Sequence, residues 1–131
     1  MKHLLVLLSL GISSNVSAIE GTSWLQVNKE GYSIECPDFV KFTKHEYSIF
    51  NDCYGNKPTN PIIEYGSYKI KDQFLLFERN EIIKNHSFLG NGLAAKVNTQ
   101  MIRNNTKEME IKINEKSIFF KSKLPSNNAL K

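Results

Sequence analysis

Two cysteines frame a symmetric apolar hairpin, and this feature constrains the fold of the chain more than any other. If the segment from Cys36 to Cys53 folds back on itself at Lys44 and His45, the numbers of facing residues always sum to 89. The facing pairs then include Phe42 with Tyr47, Val40 with Ile49, Asp38 with Asn51, and Cys36 with Cys53. Facing residues of an antiparallel ladder are close enough for their cysteines to form a disulfide. The frame therefore predicts a β-hairpin closed by a bridge between Cys36 and Cys53.

The first 18 residues have the pattern of a secretory signal peptide. A basic start at Lys2 and His3 is followed by an apolar run over residues 4–12, and Val16-Ser17-Ala18 matches the small-x-small cleavage pattern. The run is shorter than the ~20 apolar residues that a transmembrane helix needs. We therefore expect cleavage near Ala18, export to the periplasm or the medium, and no insertion in a membrane. A buried N-terminal helix is the alternative.

Length, charge and cysteine usage limit the class of protein. We predict a signal peptide at 1–18, a single β-barrel domain at 19–124 and a flexible tail at 125–131. An exported chain with two cysteines favours a structural bridge over a catalytic dithiol, whose cysteines are usually spaced C-x-x-C. The net charge is +4 and the lysines are scattered among acidic residues. Nucleic acid is therefore not an expected partner.

Alternating apolar residues separated by turn residues predict short strands along the rest of the chain. Besides the first hairpin, strands are predicted at Trp24–Val27, optionally Tyr32–Glu35, Ile62–Ile70, Gln73–Asn80 and Lys96–Ile102, with a last hairpin turning at Asn114-Glu115. The Ile62–Asn80 hairpin is expected to turn at Lys71-Asp72. Sequential hairpins with one apolar face favour a meander, which hides its edges best by closing. We therefore predict an all-β barrel of seven or eight antiparallel strands, with a two-sheet sandwich as the alternative.

The loop at Asn104-Asn-Thr106 decides which faces meet near the end of the chain. An odd number of loop residues would keep Met101 on the face of Met109 and Ile111, whereas an even number would turn Met101 to the other face. We therefore predict an odd-length loop here.

Several stretches resemble lipocalin-like barrels. Gly21-Thr-Ser-Trp24 resembles their Gly-x-Trp opening, with one residue more between the glycine and the tryptophan, which in that family closes one end of the barrel. Residues 34–39, 51–55 and 63–68 are similar to small exported bacterial proteins of this calycin type. The resemblance covers about the first half of the mature chain. It implies a small barrel that binds something at its open end or rim, and it implies no enzyme activity and no cofactor.

The sequence contains no set of residues that meets the minimum for catalysis or metal binding. His45 falls at the predicted hairpin tip and His86 in the irregular segment 85–95, where polar residues need no further explanation. A zinc site needs three or four convergent ligands. Glu108 and Glu110 share a strand face and could act as paired carboxylates, but nearby lysines favour a solvated surface. We therefore expect no enzyme, no cofactor and no metal site.

Four phenylalanines fall on otherwise polar strand faces and are the candidate partner-binding residues: Phe39, Phe50, Phe74 and Phe119. If they are exposed and grouped, they would form a protein-binding patch; coverage by loops or neighbouring strands is the alternative. The other large side chains would fill a small barrel.

We expect a non-catalytic exported protein that binds and inhibits or holds another envelope protein, as immunity proteins and inhibitors do. The alternative function is a carrier of a small apolar ligand in the barrel mouth.

Overall fold

The strands of the protein close into one antiparallel barrel. The computed structural model describes residues 19–55, 61–90 and 94–123. The strands are β1 (Ser23–Val27), β2 (Phe39–Phe42), β3 (Glu46–Phe50), β4 (Ile62–Lys71), β5 (Phe74–Ile82), β6 (Lys96–Asn104), β7 (Glu108–Ile113) and β8 (Lys116–Ser122). Each strand pairs with the next along the chain, and β8 pairs with β1. The predicted all-β meander and its closure into a barrel are confirmed, and the sandwich alternative is wrong.

The predicted signal peptide at 1–18 and tail at 125–131 lie outside the described residues. Within the part of the chain that the structure describes, no helix is long and apolar enough to span a membrane.

The first hairpin has the predicted register and the predicted disulfide. Facing residues of β2 and β3 run from Phe39 with Phe50 to Phe42 with Tyr47. Cys36 and Cys53 are bonded, with their Cα atoms 5.4 Å apart. The prediction was wrong in placing the cysteines within the ladder, because β2 begins at Phe39 and β3 ends at Phe50. Cys36 has a left-handed φ of 52°, which is incompatible with an extended strand, so the bridge joins two loops just beyond the ladder.

Two hairpin turns show how the sequence sets the register. The last hairpin turns at Asn114-Glu115 as predicted, and both residues have positive φ angles, of 49° and 72°. The turn between β4 and β5 falls at Asp72-Gln73 instead of Lys71-Asp72, because Lys71 pairs with Phe74. Asp72 takes the left-handed conformation there, with φ at 57°.

The optional strand at Tyr32–Glu35 does not form. Ser33 makes an isolated bridge to Val27, and the carbonyl oxygen of Tyr32 accepts a hydrogen bond of 2.9 Å from the backbone N–H of Asn28, but the segment forms no strand. The described part of the predicted irregular segment at 85–95 likewise contains no helix and no strand.

A β-bulge at Ile102 keeps the apolar faces of β6 and β7 together. Met101 pairs with Ile111, but Arg103 pairs with Glu110, so Ile102 is an extra residue in β6. Asn104 pairs with Met109, so an even number of residues, 105–108, separates these two partners. Without the bulge, this even number would place Met101 and Ile111 on opposite faces. The predicted shared face is correct, and the bulge produces it in place of an odd-length loop.

The interior of the barrel is filled by large side chains from the inward faces of its strands. Trp24, at the start of β1, is buried, and its indole Nε1 donates a hydrogen bond of 2.7 Å to Thr22 Oγ1. The buried core also includes Val40, Phe42, Tyr47, Ile49, Leu75, Phe77, Met109, Ile111, Ile118 and Phe120. Tyr47 and Phe77 meet edge to face, with ring centroids 4.8 Å apart. Large aromatic and aliphatic side chains therefore occupy the described core of the barrel.

Two further bulges, in β4 and β5, lie next to the inward-facing polar residues Glu64 and Arg79. Phe50 pairs with Ile62 and Ile49 with Glu64, so one residue of β4 is extra; a second shift follows between Tyr65 and Gly66. The glycine lies beside the second bulge, where β4 and β5 approach closely.

Replacing Gly66 by alanine should destabilise the barrel strongly. A Cβ at this position would overlap the backbone oxygen of Glu78 and lie 2.9 Å from the backbone nitrogen of Asn80. Overpacking usually costs ~1–3 kcal/mol, and backbone atoms cannot yield as a flexible side chain can, so we expect about 3 kcal/mol in the unfolding free energy. Chemical denaturation of Gly66→Ala and of the matched control Ser67→Ala measures this. The control should change by less than about 0.5 kcal/mol; equal losses in both variants would contradict the close approach.

Candidate functional site

A fully buried ion pair lies inside the barrel. Arg79 Nε donates to Glu64 Oε2 at 2.7 Å and Arg79 Nη2 donates to Glu64 Oε1 at 2.9 Å. The two side chains are 1% and 0% exposed. The Tyr47 hydroxyl donates to the same carboxylate at 2.6 Å, and the Ser87 hydroxyl does so at 2.7 Å. Four hydrogen bonds to one carboxylate compensate for the loss of its hydration, which is the condition under which a buried charge pair is tolerated.

Residues 84–90, called the strap, cover this ion pair. The Phe88 ring lies against the rings of Phe77 and Phe120, with centroid distances of 5.9 Å and 5.1 Å. The side chains on either side of it, Ser87 and Leu89, are buried. The strap therefore contributes side chains to the core of the barrel.

The ion pair also binds the backbone of the strap. Arg79 Nη2 donates to the carbonyl oxygen of Gly90 at 3.1 Å, in addition to its bonds with Glu64. Because Ser87 donates to Glu64, both partners of the ion pair bind the strap.

Asp38 is a second buried carboxylate that holds the strap. Its Oδ2 accepts a hydrogen bond of 2.7 Å from the backbone N–H of Phe88, and its Oδ1 accepts one of 2.8 Å from Asn51 Nδ2. Asn51 also donates to the carbonyl oxygen of Cys36 at 3.0 Å and accepts from the backbone N–H of Cys53 at 2.9 Å. Hydrogen bonds therefore connect both loops of the disulfide to the strap.

Burial dominates the protonation behaviour of these polar groups. Burial raises the pKa of Asp38 to about 6, against the opposing hydrogen bonds from Asn51 and from the backbone of Phe88. The negative charge of Glu64 adds to the upward shift. Burial, and next the hydrogen bond to Glu64, raise the pKa of the Tyr47 hydroxyl as well. Tyr47 therefore remains a hydrogen-bond donor at neutral pH.

An apolar row crosses four strands on the outside of the barrel. This stripe consists of Leu25, Phe39, Phe50 and Ile62, which are successive register partners on β1, β2, β3 and β4. All four side chains are half-buried. The rings of Phe39 and Phe50 have centroids 6.1 Å apart. The stripe faces outward because the residues that alternate with it on β1 to β3 point into the core.

Three residues of the stripe, Leu25, Phe39 and Phe50, line a groove of about 430 Å³ together with the disulfide. Its apolar lining comprises Leu25, Pro37, Phe39, Phe50, Pro61 and the bridged cysteines Cys36 and Cys53. The charged residues in the lining are Lys41, Asp52 and Lys123. The geometry of the groove suits an apolar side chain of a partner surrounded by polar contacts.

The four predicted phenylalanines do not form one patch. Phe39 and Phe50 lie together in the groove, whereas Phe74 is 37% exposed at the start of β5, where it pairs with Gln100. Phe119 is half-buried on β8 and lines different surface depressions. Their role in partner binding stays a prediction, and Phe39 and Phe50 are the two whose rings lie side by side.

The histidines and paired glutamates have separate structural surroundings. His45 lies at the tip of the first hairpin, and the ring of His86 stacks on Tyr54 with centroids 4.3 Å apart. Arg103 contacts Glu108 at 2.9 Å and Glu110 at 3.8 Å on the outer surface. Across residues 19–55, 61–90 and 94–123, no group of three or more His, Cys, Asp or Glu side chains could hold a metal ion.

The buried Glu64 and Arg79 were not predicted from the sequence, although strand alternation places both on the same face as buried apolar residues. Arg79 has the same parity on β5 as the buried Leu75 and Phe77. Glu64 similarly shares its parity on β4 with the buried Tyr68. An arginine and a glutamate on the inward faces of paired strands indicate a buried ion pair, because neither charge is stable alone in a core.

Comparisons with known proteins return no relative. The chain matches no protein-family model, and no curated protein and no solved structure is significantly similar to it. The fold and the site define a disulfide-bonded, eight-stranded antiparallel β-barrel with a filled interior, which is compatible with a lipocalin-like fold.

Replacing one partner of the ion pair should lower the unfolding free energy by much more than half of the loss caused by replacing both. Glu64→Leu leaves a buried guanidinium without its carboxylate and Arg79→Met leaves the carboxylate without its cation, so each should lower the unfolding free energy by about 3–5 kcal/mol. The double variant buries neither charge, and its loss should be smaller than the sum by roughly 2 kcal/mol or more. Denaturant titration of the four proteins measures this coupling. Additive losses would contradict a tightly coupled pair.

Asp38 should titrate near pH 6 in the folded protein. Its pKa is raised from an ordinary value of 3.8, so between about pH 4 and pH 6 the folded protein binds a proton that the unfolded chain releases. The contribution of Asp38 to stability is therefore full below pH 4 and is lost as the pH rises through 6. Carboxyl carbon NMR shifts measure the midpoint, and Asp38→Asn assigns the signal. A midpoint near pH 4 would show that the two hydrogen bonds outweigh burial.

Proposed function

We propose that the protein is a non-catalytic binding protein that binds another protein of the envelope or the extracellular space through its outer face, and inhibits or holds it. The single observation that carries this proposal is the contrast between the two faces of the barrel. Phe88, Phe77 and Phe120 occupy the interior and the strap covers it, whereas the stripe lies on the outer surface. A rigid barrel with an apolar outer groove has the anatomy of one half of a protein interface.

The proposal includes export and a lipocalin-like origin. The disulfide is consistent with an extracellular or periplasmic location, because such bridges persist in oxidising compartments. Export through a signal peptide at 1–18, with cleavage near Ala18, accounts for that location. The calycin-type assignment is supported by the meander of eight strands and by Trp24, which is buried in the core at the start of β1.

The contents of the barrel favour a protein partner over a small apolar ligand. A ligand in the centre of the barrel would have to displace Phe88 and compete with the hydrogen bonds that Asp38, Glu64 and Arg79 make to the strap. A protein on the outer groove requires no such rearrangement. The absence of enzymatic activity, of a cofactor and of nucleic-acid binding remains part of the proposal.

Capture by the intact stripe tests this function. Immobilised wild-type protein should retain a specific protein from an envelope extract of the producing organism, and Phe39→Ser/Phe50→Ser should retain at least about tenfold less, because apolar anchors dominate interface energies. The matched control is Phe74→Ser, which removes an exposed phenylalanine outside the groove and should leave retention unchanged. Circular dichroism and an intact disulfide verify that each variant is folded.

Two outcomes would contradict the proposal. Equal retention by all three folded proteins would exclude the stripe as the binding surface. Retention of a small apolar compound from the same extract, with release on lifting the strap by Asp38→Ala, would favour the carrier function.

A further inference from the structure

Positively charged side chains border the stripe. Lys41 and Lys123 line the groove, and Lys121 on β8 is the register partner of Leu25 at the end of the stripe. Asp52 is the one carboxylate in the groove lining as the structure describes it. The surroundings of the stripe are therefore positive on balance.

Lys41, Lys121 and Lys123 form no salt bridge within the described part of the barrel. The salt bridges formed by residues 19–55, 61–90 and 94–123 join Arg79 to Glu64 and Arg103 to Glu108 and Glu110, and none of them includes Lys41, Lys121 or Lys123. Glu108 faces Lys121 across β7 and β8, but its carboxylate is bonded to Arg103 at 2.9 Å. The three ammonium groups are therefore available to an incoming partner.

We propose that the partner presents an acidic protein surface with one projecting aromatic or aliphatic side chain. The projecting side chain enters the groove beside Phe39 and Phe50, and carboxylates around it contact Lys41, Lys121 and Lys123. This inference rests on the proposed function and specifies the chemistry of the partner. Many protein interfaces have an apolar centre and a charged rim. The centre provides most of the affinity, and the rim provides specificity and rapid association.

The shape of the site favours a protein over a lipid surface. The side chains of the stripe are half-buried, and Leu25, Phe39 and Phe50 lie in a groove with Pro37 and Pro61 in its lining. A flat bilayer surface is best engaged by apolar side chains that project outward, whereas a groove accepts a side chain from a structured partner.

Three matched peptides test the chemistry directly. Each has a central Phe-Leu pair, flanked on both sides by two glutamates, two serines or two lysines, and binding is followed by amide NMR shifts of the full mature protein. The glutamate peptide should shift the amides of Leu25, Phe39 and Phe50 and bind at least about tenfold more tightly than the serine peptide. At about 0.5 M salt, where the screening length falls to roughly 4 Å, this preference should largely disappear.

Charge reversal provides the matched variants. Lys41→Glu/Lys121→Glu/Lys123→Glu should lose the preference for the glutamate peptide, while Lys69→Glu/Lys71→Glu/Lys116→Glu, which carries the same change of charge on exposed lysines outside the groove, should keep it. Unfolding curves verify that both variants are folded.

The outcomes separate this inference from the proposed function. Equal binding of the three peptides at the stripe would overturn the acidic partner and leave the stripe as a binding surface. No shift at the stripe with any peptide at millimolar concentration would overturn the inference, and the envelope capture would then decide the proposed function by itself. Sedimentation with anionic phospholipid vesicles, abolished by the first charge reversal and accompanied by no peptide binding, would replace the protein partner by a membrane.

Discussion

The buried ion pair between Glu64 and Arg79 is the interaction on which the rest of the structure depends. Its carboxylate receives hydrogen bonds from β3, β5 and the strap, through Tyr47, Arg79 and Ser87. A buried charge that loses a hydrogen-bond partner is destabilised, so opening the strap would weaken the pair by removing the bonds to Ser87 and Gly90. Packed side chains therefore occupy the described interior beneath the strap, and the stripe lies on the outer surface.

The disulfide extends this network to the outer surface. It joins residues 17 positions apart, for which the chain-entropy model gives about 3 kcal/mol of stabilisation. Asn51 bonds to both of its loops and to Asp38, and Asp38 holds the backbone of Phe88. One chain of contacts thus connects the core, the strap and the wall of the groove. The same loops that cover the interior shape the surface that we propose as the binding site.

Much of the fold could be predicted from residue parity, and the site could be predicted only in part. The register of β2 with β3 and the turn at Asn114-Glu115 follow from alternating apolar residues with few competing alignments. The bulge at Ile102 could not be predicted, because an extra residue in a strand has no compositional signature. The alternation of residues predicts that Phe39 and Phe50 face outward. Their alignment with Leu25 and Ile62 depends on the pairing of the β2–β3 hairpin with β1 and with β4, which the sequence of the hairpin does not specify. The contribution of the strap to the core could not be predicted either, because residues 84–90 show no hydrophobic periodicity.

Amide hydrogen exchange at Phe88 tests the central claim most directly, because its N–H binds the buried Asp38 only while the strap covers the barrel. The structure predicts protection comparable to that of core amides such as Ile49, so that exchange requires global or near-global unfolding. Exchange of the Phe88 amide at the rate of an exposed loop, in a protein whose strand amides stay protected, would show that the strap opens in the native state. The interior would then be accessible to ligands, and the argument for an outer binding surface would fail.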